Sequence, residues 1–183
     1  GFEFLSCIPG SIGGGIKMNA GCYGREFKDI VISVQAIDFE GRVQTILSSQ
    51  IKFNYRSTDL PKNLVYLSVT LKGKISKKET IKKKIEELKL NKENSQPLRV
   101  KTSGSTFKNP INQSNKKVWE LIKESISKNL SFGDAKISEK HFNFFVNKGN
   151  ATFEDMSKLI NFVSKKVLEK TGINLEKEIK ILE

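Results

Sequence analysis

A chain of 183 residues with 37% hydrophobic residues is long enough for one large or two small domains and apolar enough to bury a core, which excludes a disordered polypeptide. Its formal charge of +12 points to anionic partners, whether nucleic acid, acidic lipid or phosphorylated small molecules, yet the lysines are scattered among Ile, Asn and Phe and select none of them. No apolar run approaches the roughly 20 residues that cross a bilayer, and Gly1 to Ile16 lack the basic start and apolar block of a secretory signal, so a cytoplasmic protein without a membrane partner is expected.

The first element is the glycine-rich segment Ile8-Pro9-Gly10-Ser11-Ile12-Gly13-Gly14-Gly15. Glycine tolerates positive φ and carries no side chain, so such a backbone can bend sharply and bring its N–H groups to a phosphate or cofactor. No Gly-Lys-Ser/Thr follows it and no strand precedes it, so it is neither a Walker loop nor a dinucleotide fingerprint, and by spacing alone an ordinary turn is equally good. A second glycine-rich turn, Met18-Asn19-Ala20-Gly21-Cys22-Tyr23-Gly24, follows at once. Cys7 and Cys22 are too few for a disulfide scaffold and lack the spacing of a zinc site, so both read as structural or incidental and no metal is expected.

Asp29 to Thr45 reads as a hairpin, with Ile30, Ile32, Val34 and Ala36 at period two and a turn near Glu40-Gly41. Leu64 to Leu71 alternates as a strand through Val65, Leu67, Val69 and Leu71 and stops at Gly73. There the character changes. Ser76 to Leu90 places Ile81, Ile85 and Leu88 on one helical stripe under lysine and glutamate, and the domain boundary is set at 73/74. The run Lys77 to Lys84 lacks interleaved aromatics for base stacking and reads as a solvated face. A helix over Asn115 to Ile126 turns Val118, Leu121, Ile122 and Ile126 to one side. Another, Phe153 to Lys170, has Thr152 as N-cap, Asp155 three residues on, a core stripe of Met156, Leu159, Ile160, Val163 and Val167, and Gly172 to end it. Short strands at Asn143 to Asn147 and Glu178 to Leu182 complete an α+β second part.

Gly1-Phe2-Glu3-Phe4-Leu5 through Gly24 resembles the flavin-binding segment of the UDP-N-acetylenolpyruvoylglucosamine reductase (MurB) family. Three further stretches match that family in order: Phe53-Asn54-Tyr55-Arg56, with Thr58 where Ser is usual; Ser103-Gly104-Ser105-Thr106-Phe107-Lys108-Asn109-Pro110; and Leu175-Glu176-Lys177-Glu178-Ile179. Ile137 to Asn147 follows its pattern too, and His141 within it reads as a structural histidine outside the catalytic set. Taken singly, Arg56, Ser105 and Glu178 are ordinary surface polar residues; the ordered set carries the resemblance.

The resemblance implies the C-terminal half of an FAD-binding (PCMH-like) α+β domain over 1–73 and an α+β substrate-binding domain over 74–183. It implies FAD and NADPH as cofactors and a UDP-sugar substrate whose enolpyruvyl ether is reduced to a lactyl ether. Pro9, Gly10, Ser11, Gly13, Gly14, Asn19, Ala20, Gly21 and Tyr55 would contact the cofactor. Arg56 and Glu178 would stabilise the charge that builds on the substrate carboxylate, Glu178 as a protonated or proton-sharing carboxyl of raised pKa, and Ser105 would deliver a proton. Lys108, Asn109 and Arg99, with Lys101, would meet phosphate or sugar. The chain opens at Gly1 with no initiator methionine, directly before its glycine-rich loop. A further flavin-domain segment is therefore expected upstream, supplied by a separate polypeptide or lost from the gene product. The competing classes are a catalytically dead remnant, a basic RNA-binding module, and another FAD oxidoreductase on a related fold.

Overall fold

In a computed structural model that describes residues 1–127 and 129–182, the chain divides into two compact units, Gly1–Lys92 and Glu93–Glu183. Both mix helix and sheet, the α+β class expected.

The first unit opens with a 3-10 turn, Glu3–Cys7, and a short helix α1, Ile12–Lys17. Ser11 caps α1, its Oγ accepting from the Gly14 N–H at 3.1 Å, so much of the glycine-rich segment is helical rather than an open loop. Strands β1 (Gly21–Cys22) and β2 (Arg25–Glu26) form a small antiparallel ribbon. Strands β3 (Val31–Asp38) and β4 (Val43–Leu47) form the expected hairpin, followed by the short pair β5 (Phe53–Asn54) and β6 (Ser57–Thr58), and β7 (Leu64–Leu71). The main sheet is antiparallel with order β4-β3-β7. Ile16, Phe27, Val31, Val34, Ile51 and Leu60 form its core.

Two irregularities in the β3/β7 pairing, between Val31 and Ser33 and between Gln35 and Ala36, change which residues face inward. An extra residue in one strand of a pair moves everything beyond it to the other face. Ile30, Val31, Val34 and Ala36 are buried while Ile32 is 40% exposed. On β7 the inward set is Tyr66, Val69 and Leu71, with Val65 and Leu67 turned out at 53% and 50% exposure. The strict alternation anticipated on both strands is corrected by these bulges.

Helix α2, Lys78–Ser95, buries Leu88 and leaves Lys77 to Lys84 in solvent apart from the partly covered Ile81. Up to Lys92 it belongs to the first unit. The Tyr23 hydroxyl donates to the Leu88 carbonyl at 3.2 Å and Lys92 Nζ to the Cys7 carbonyl at 2.5 Å. The division between units therefore falls in the last turn of α2, whereas the sequence reading put the helix in the second part.

The second unit contains β8 (Lys101–Ser105), α3 (Val118–Ser125), β9 (Ser131–Phe132), β10 (Ala135–Ile137), β11 (Phe144–Asn147) and α4 (Phe153–Thr171). The sheet is antiparallel, order β8-β11-β10-β9, and α3 and α4 cover it through Leu121, Ile122, Leu159, Ile160 and Val163. Helix α4 has the anticipated ends: Thr152 and Asp155 close a capping box, and Gly172 adopts φ 71° at the C-cap. The strand anticipated at Glu178 to Leu182 is reduced to a single bridge, Phe107 to Lys177, with two flanking backbone bonds.

Candidate active site

Ser105 ends β8 opposite Phe144, and the register slips between Phe144 and Val146, so two residues of β8, Ser103 and Gly104, oppose one of β11. Gly104 has φ +85°, the left-handed conformation that a side chain disfavours. The local sequence Ser103-Gly104-Ser105 thus builds a bulge that re-aims the residues after it. Asn143, 3% exposed, locks the next turn: its carbonyl accepts from the Thr106 N–H at 2.8 Å, its Oδ1 from the Phe107 N–H at 3.0 Å, and its Nδ2 donates to the Phe107 carbonyl at 2.8 Å.

The terminal segment docks on the same turn. Glu178 N–H donates to the Thr106 carbonyl at 2.9 Å and Lys108 N–H to the Glu176 carbonyl at 2.8 Å. Ser105 and Glu178, 73 positions apart in sequence, are thereby held on neighbouring stretches of one ladder. Lys108 Nζ pairs with Glu176 at 2.5 Å. Asn109 Oδ1 accepts from the Val118 N–H at 3.0 Å, at the first residue of α3. Arg99 is exposed, with φ +55°, just ahead of β8.

Arg56 belongs to the first unit, on the turn between β5 and β6, and also has a left-handed backbone, φ +57°. Its guanidinium donates to the Gly21 carbonyl at 3.0 Å, lies 3.7 Å from Glu26 Oε1, and stacks 4.7 Å from the Tyr55 ring centroid. Asn19 is fully buried: its Nδ2 donates to Glu26 Oε2 and to the Asn54 carbonyl, both at 3.0 Å, and its Oδ1 accepts from the Lys28 N–H at 3.0 Å. Its side chain is committed to holding the fold.

The glycines differ in what they permit. A Cβ on Gly21 would sit 2.3 Å from the Arg25 carbonyl oxygen, so packing alone calls for glycine there, whereas one on Gly13 would sit 3.2 Å from the Tyr66 ring, which would have to give by a few tenths of an ångström. Gly10 is different: its φ is +127° and the space where a Cβ would project is open. Pro9, Gly10 and Ser11 are exposed beside it, and Ala20 is partly buried.

His141 packs edge-on to Phe144 at 4.8 Å between ring centroids, and its Nδ1 accepts from the Asn143 N–H at 3.2 Å. Burial pushes its pKa down, as suits a neutral structural imidazole. A cavity of about 390 Å³ in the second unit is lined by Lys136, Ser138, Lys140 and neighbours, and by none of the candidate site residues. Among the described residues no acidic, His or Cys group has metal-site geometry and no helix is long and apolar enough to cross a membrane. Glu26 and Asn143 were missed by sequence reasoning. Each is a lone polar residue, and only the folded pairing reveals what it holds.

Residues 96–182 match the family model described as the C-terminal domain of UDP-N-acetylenolpyruvoylglucosamine reductase. A UDP-N-acetylenolpyruvoylglucosamine reductase of Pelagibacter ubique (strain HTCC1062) is 62% identical over 182 residues, covering 100% of this chain and 60% of that protein. The protein of the same name from Rickettsia rickettsii (strain Sheila Smith) is 47% identical over 180 residues, 98% of this chain and 60% of its own length. The crystal structure of UDP-N-acetylenolpyruvylglucosamine reductase (MurB) from Thermus caldophilus is similar with a TM-score of 0.84 at 34% identity, covering 100% of this chain and 64% of the other. The chain spans about 60% of the length of the curated relatives it matches. With the Ser105 turn, the Glu178 segment and the Tyr55-Arg56 turn all present in that matched stretch, the chain is similar over its whole length to UDP-N-acetylenolpyruvoylglucosamine reductases, and its residues 96–182 match their C-terminal domain.

Proposed function

We propose that this chain is part of a flavin-dependent enzyme that reduces UDP-N-acetylenolpyruvoylglucosamine to UDP-N-acetylmuramate at the expense of NADPH, in the cytoplasmic synthesis of cell-wall precursors. The observation that carries the reading is the ladder joining the Ser105 turn to the Glu178 segment, in which the Glu178 N–H donates to the carbonyl of Thr106, the residue after Ser105. In this reading the first part of the chain supplies contacts to FAD and the second the contacts to substrate. A complete site needs the part of the family's length that this chain does not span, on the same or a separate polypeptide.

The residues present fit a flavin nucleotide at one point in particular. Gly10 has an open backbone of positive φ flanked by exposed Pro9 and Ser11, a place where a pyrophosphate can come close to main-chain N–H groups without meeting a side chain. Gly13, Gly14, Asn19, Ala20 and Gly21 then shape the segment behind it, and Tyr55 borders Arg56. When bound, FAD supplies the hydride that reaches the substrate alkene, and NADPH restores it.

The remaining chemistry belongs to this chain's own side chains. Adding a hydride to an alkene conjugated to a carboxylate pushes a second negative charge onto an anion, and preorganised donors are worth about 3–4 kcal/mol each against that. Arg56 offers a permanent guanidinium, and Glu178, carrying a proton, donates to the same enolate instead of repelling it. Ser105 gives its hydroxyl proton to the carbon next to the carboxylate, which completes the lactyl ether, and is reprotonated from solvent. Lys108, Asn109 and Arg99 are assigned to the sugar and diphosphate.

The test uses the chain joined to the part of the Pelagibacter relative outside the match. Ser105→Ala should leave flavin reduction by NADPH near the parental rate and slow reoxidation by the UDP-sugar about 10²- to 10⁴-fold. Equal loss in both half-reactions would remove Ser105 from its assigned role.

A further inference from the structure

The contacts that aim the guanidinium of Arg56 include the Gly21 carbonyl on β1, the ring of the adjacent Tyr55, and the Glu26 carboxylate on β2. Of these three only Glu26 carries charge. The pair is shielded, with Arg56 and Glu26 side chains 18% and 20% exposed, so solvent screens it less than an ordinary surface ion pair. At 3.7 Å it is an electrostatic contact rather than a short hydrogen bond.

Glu26 is itself tied down. Its Oε2 accepts from Asn19 Nδ2 at 3.0 Å and lies 2.9 Å from Lys28 Nζ, and its side chain accepts from the Asp29 N–H in a reciprocal capping box. Asn19 also donates to the Asn54 carbonyl, two residues before Arg56. The same buried amide therefore anchors both the carboxylate and the strand that leads into the arginine. Arg56 needs such support, because a left-handed backbone at a long-chain residue persists only where its surroundings hold it.

We propose that Glu26 is a positioning residue for Arg56: its anchored carboxylate fixes the direction in which the guanidinium meets the substrate carboxylate. This rests on the reading of Arg56 as the group that stabilises the enolate. The role has a built-in tension, since a carboxylate beside the arginine weakens the positive field while fixing its geometry. If field strength mattered more than direction, neutralising Glu26 would speed the reaction.

The experiment uses the FAD-loaded enzyme completed as above and follows flavin reduction by NADPH and reoxidation by the UDP-sugar separately. Glu26→Gln should slow reoxidation about ten- to hundred-fold with flavin reduction unchanged, as expected when a reacting group is displaced by about an ångström. Glu26→Asp, which keeps the charge, should recover part of the loss. Adding Glu26→Gln to Arg56→Ala should cost nothing further, because the residue that Glu26 directs is already gone. A faster Glu26→Gln enzyme, equal loss in both half-reactions, or losses that multiply in the double variant would overturn the proposal. Slowed Arg56→Ala with parental Glu26→Gln removes this inference alone, whereas parental reoxidation in Arg56→Ala removes the reading of Arg56 and this inference with it.

Discussion

Burial, reinforced by the neighbouring Cys7, pushes the Cys22 thiol up to about 11, and its Sγ donates to the Phe4 carbonyl at 3.3 Å. The thiolate is the nucleophile, so Cys22 has a very small reactive fraction at neutral pH despite being only half-buried. In the parent chain, alkylation of Cys22 by iodoacetamide at pH 7.5, followed by peptide mass spectrometry that separates it from Cys7, should be roughly two orders of magnitude slower than for a free thiol of pKa about 8.5. The rate should still be climbing at pH 10, and a plateau near pH 8.5 would contradict the assignment. The same neighbourhood explains why individual residues were unequally legible in the sequence. Arg56 was found because it sits in a recognisable Tyr-Arg pair, while Glu26 looks like any exposed carboxylate, and Asn19, expected as a cofactor contact, reveals its hold on Glu26 and Asn54 only when β1, β2 and β5 are brought together.

Helix α4 is closed at its start by reciprocal bonds, Asp155 N–H to Thr152 Oγ1 at 3.1 Å and Thr152 N–H to Asp155 Oδ2 at 3.0 Å. Thr152→Ala should lower stability by about 1 kcal/mol, read as a shift of the urea midpoint. The Thr152 N–H holds the Asp155 carboxyl below its ordinary value of 3.8, so its contribution is full above that value and is lost as pH falls through the lower folded value. Asp155→Asn should accordingly be less stable than the parent at pH 7, with the gap closing below about pH 4. A gap that stays constant into acid would mean the carboxylate contributes nothing as an anion. Signals of this kind sit within four residues of one another, which is why both ends of α4 could be read from sequence. Strand faces could not: whether Ile32, Val65 and Leu67 point in or out depends on two bulges set by the partner strand. The segment after Lys177 has strand-like residues, but the sequence does not reveal that only one bridge to Phe107 forms.

At the scale of the whole molecule the two units differ in how completely they bury their own apolar faces. In the second, α3 and α4 cover the sheet, and Phe107, Phe145, Leu121, Ile122, Leu159 and Val163 are almost wholly removed from water. In the first, Ile32, Val43, Leu47, Val65 and Leu67 stand 40–57% exposed on its three-stranded sheet. Self-sufficiency follows from burial, since a domain folds alone only when its own core offsets the entropy of ordering its chain. Residues 93–183 expressed alone should therefore unfold in a single cooperative urea transition, with a slope of about 1 kcal/mol/M and a stability of at least about 3 kcal/mol. Residues 1–92 alone should bind a hydrophobic dye and precipitate at concentrations the other unit tolerates, because apolar surface of this kind drives association. Coincident transitions by far-ultraviolet circular dichroism and by Trp119 fluorescence would support independence of the second unit. A gradual loss of signal, or dye binding by residues 93–183, would mean that the second core depends on the first.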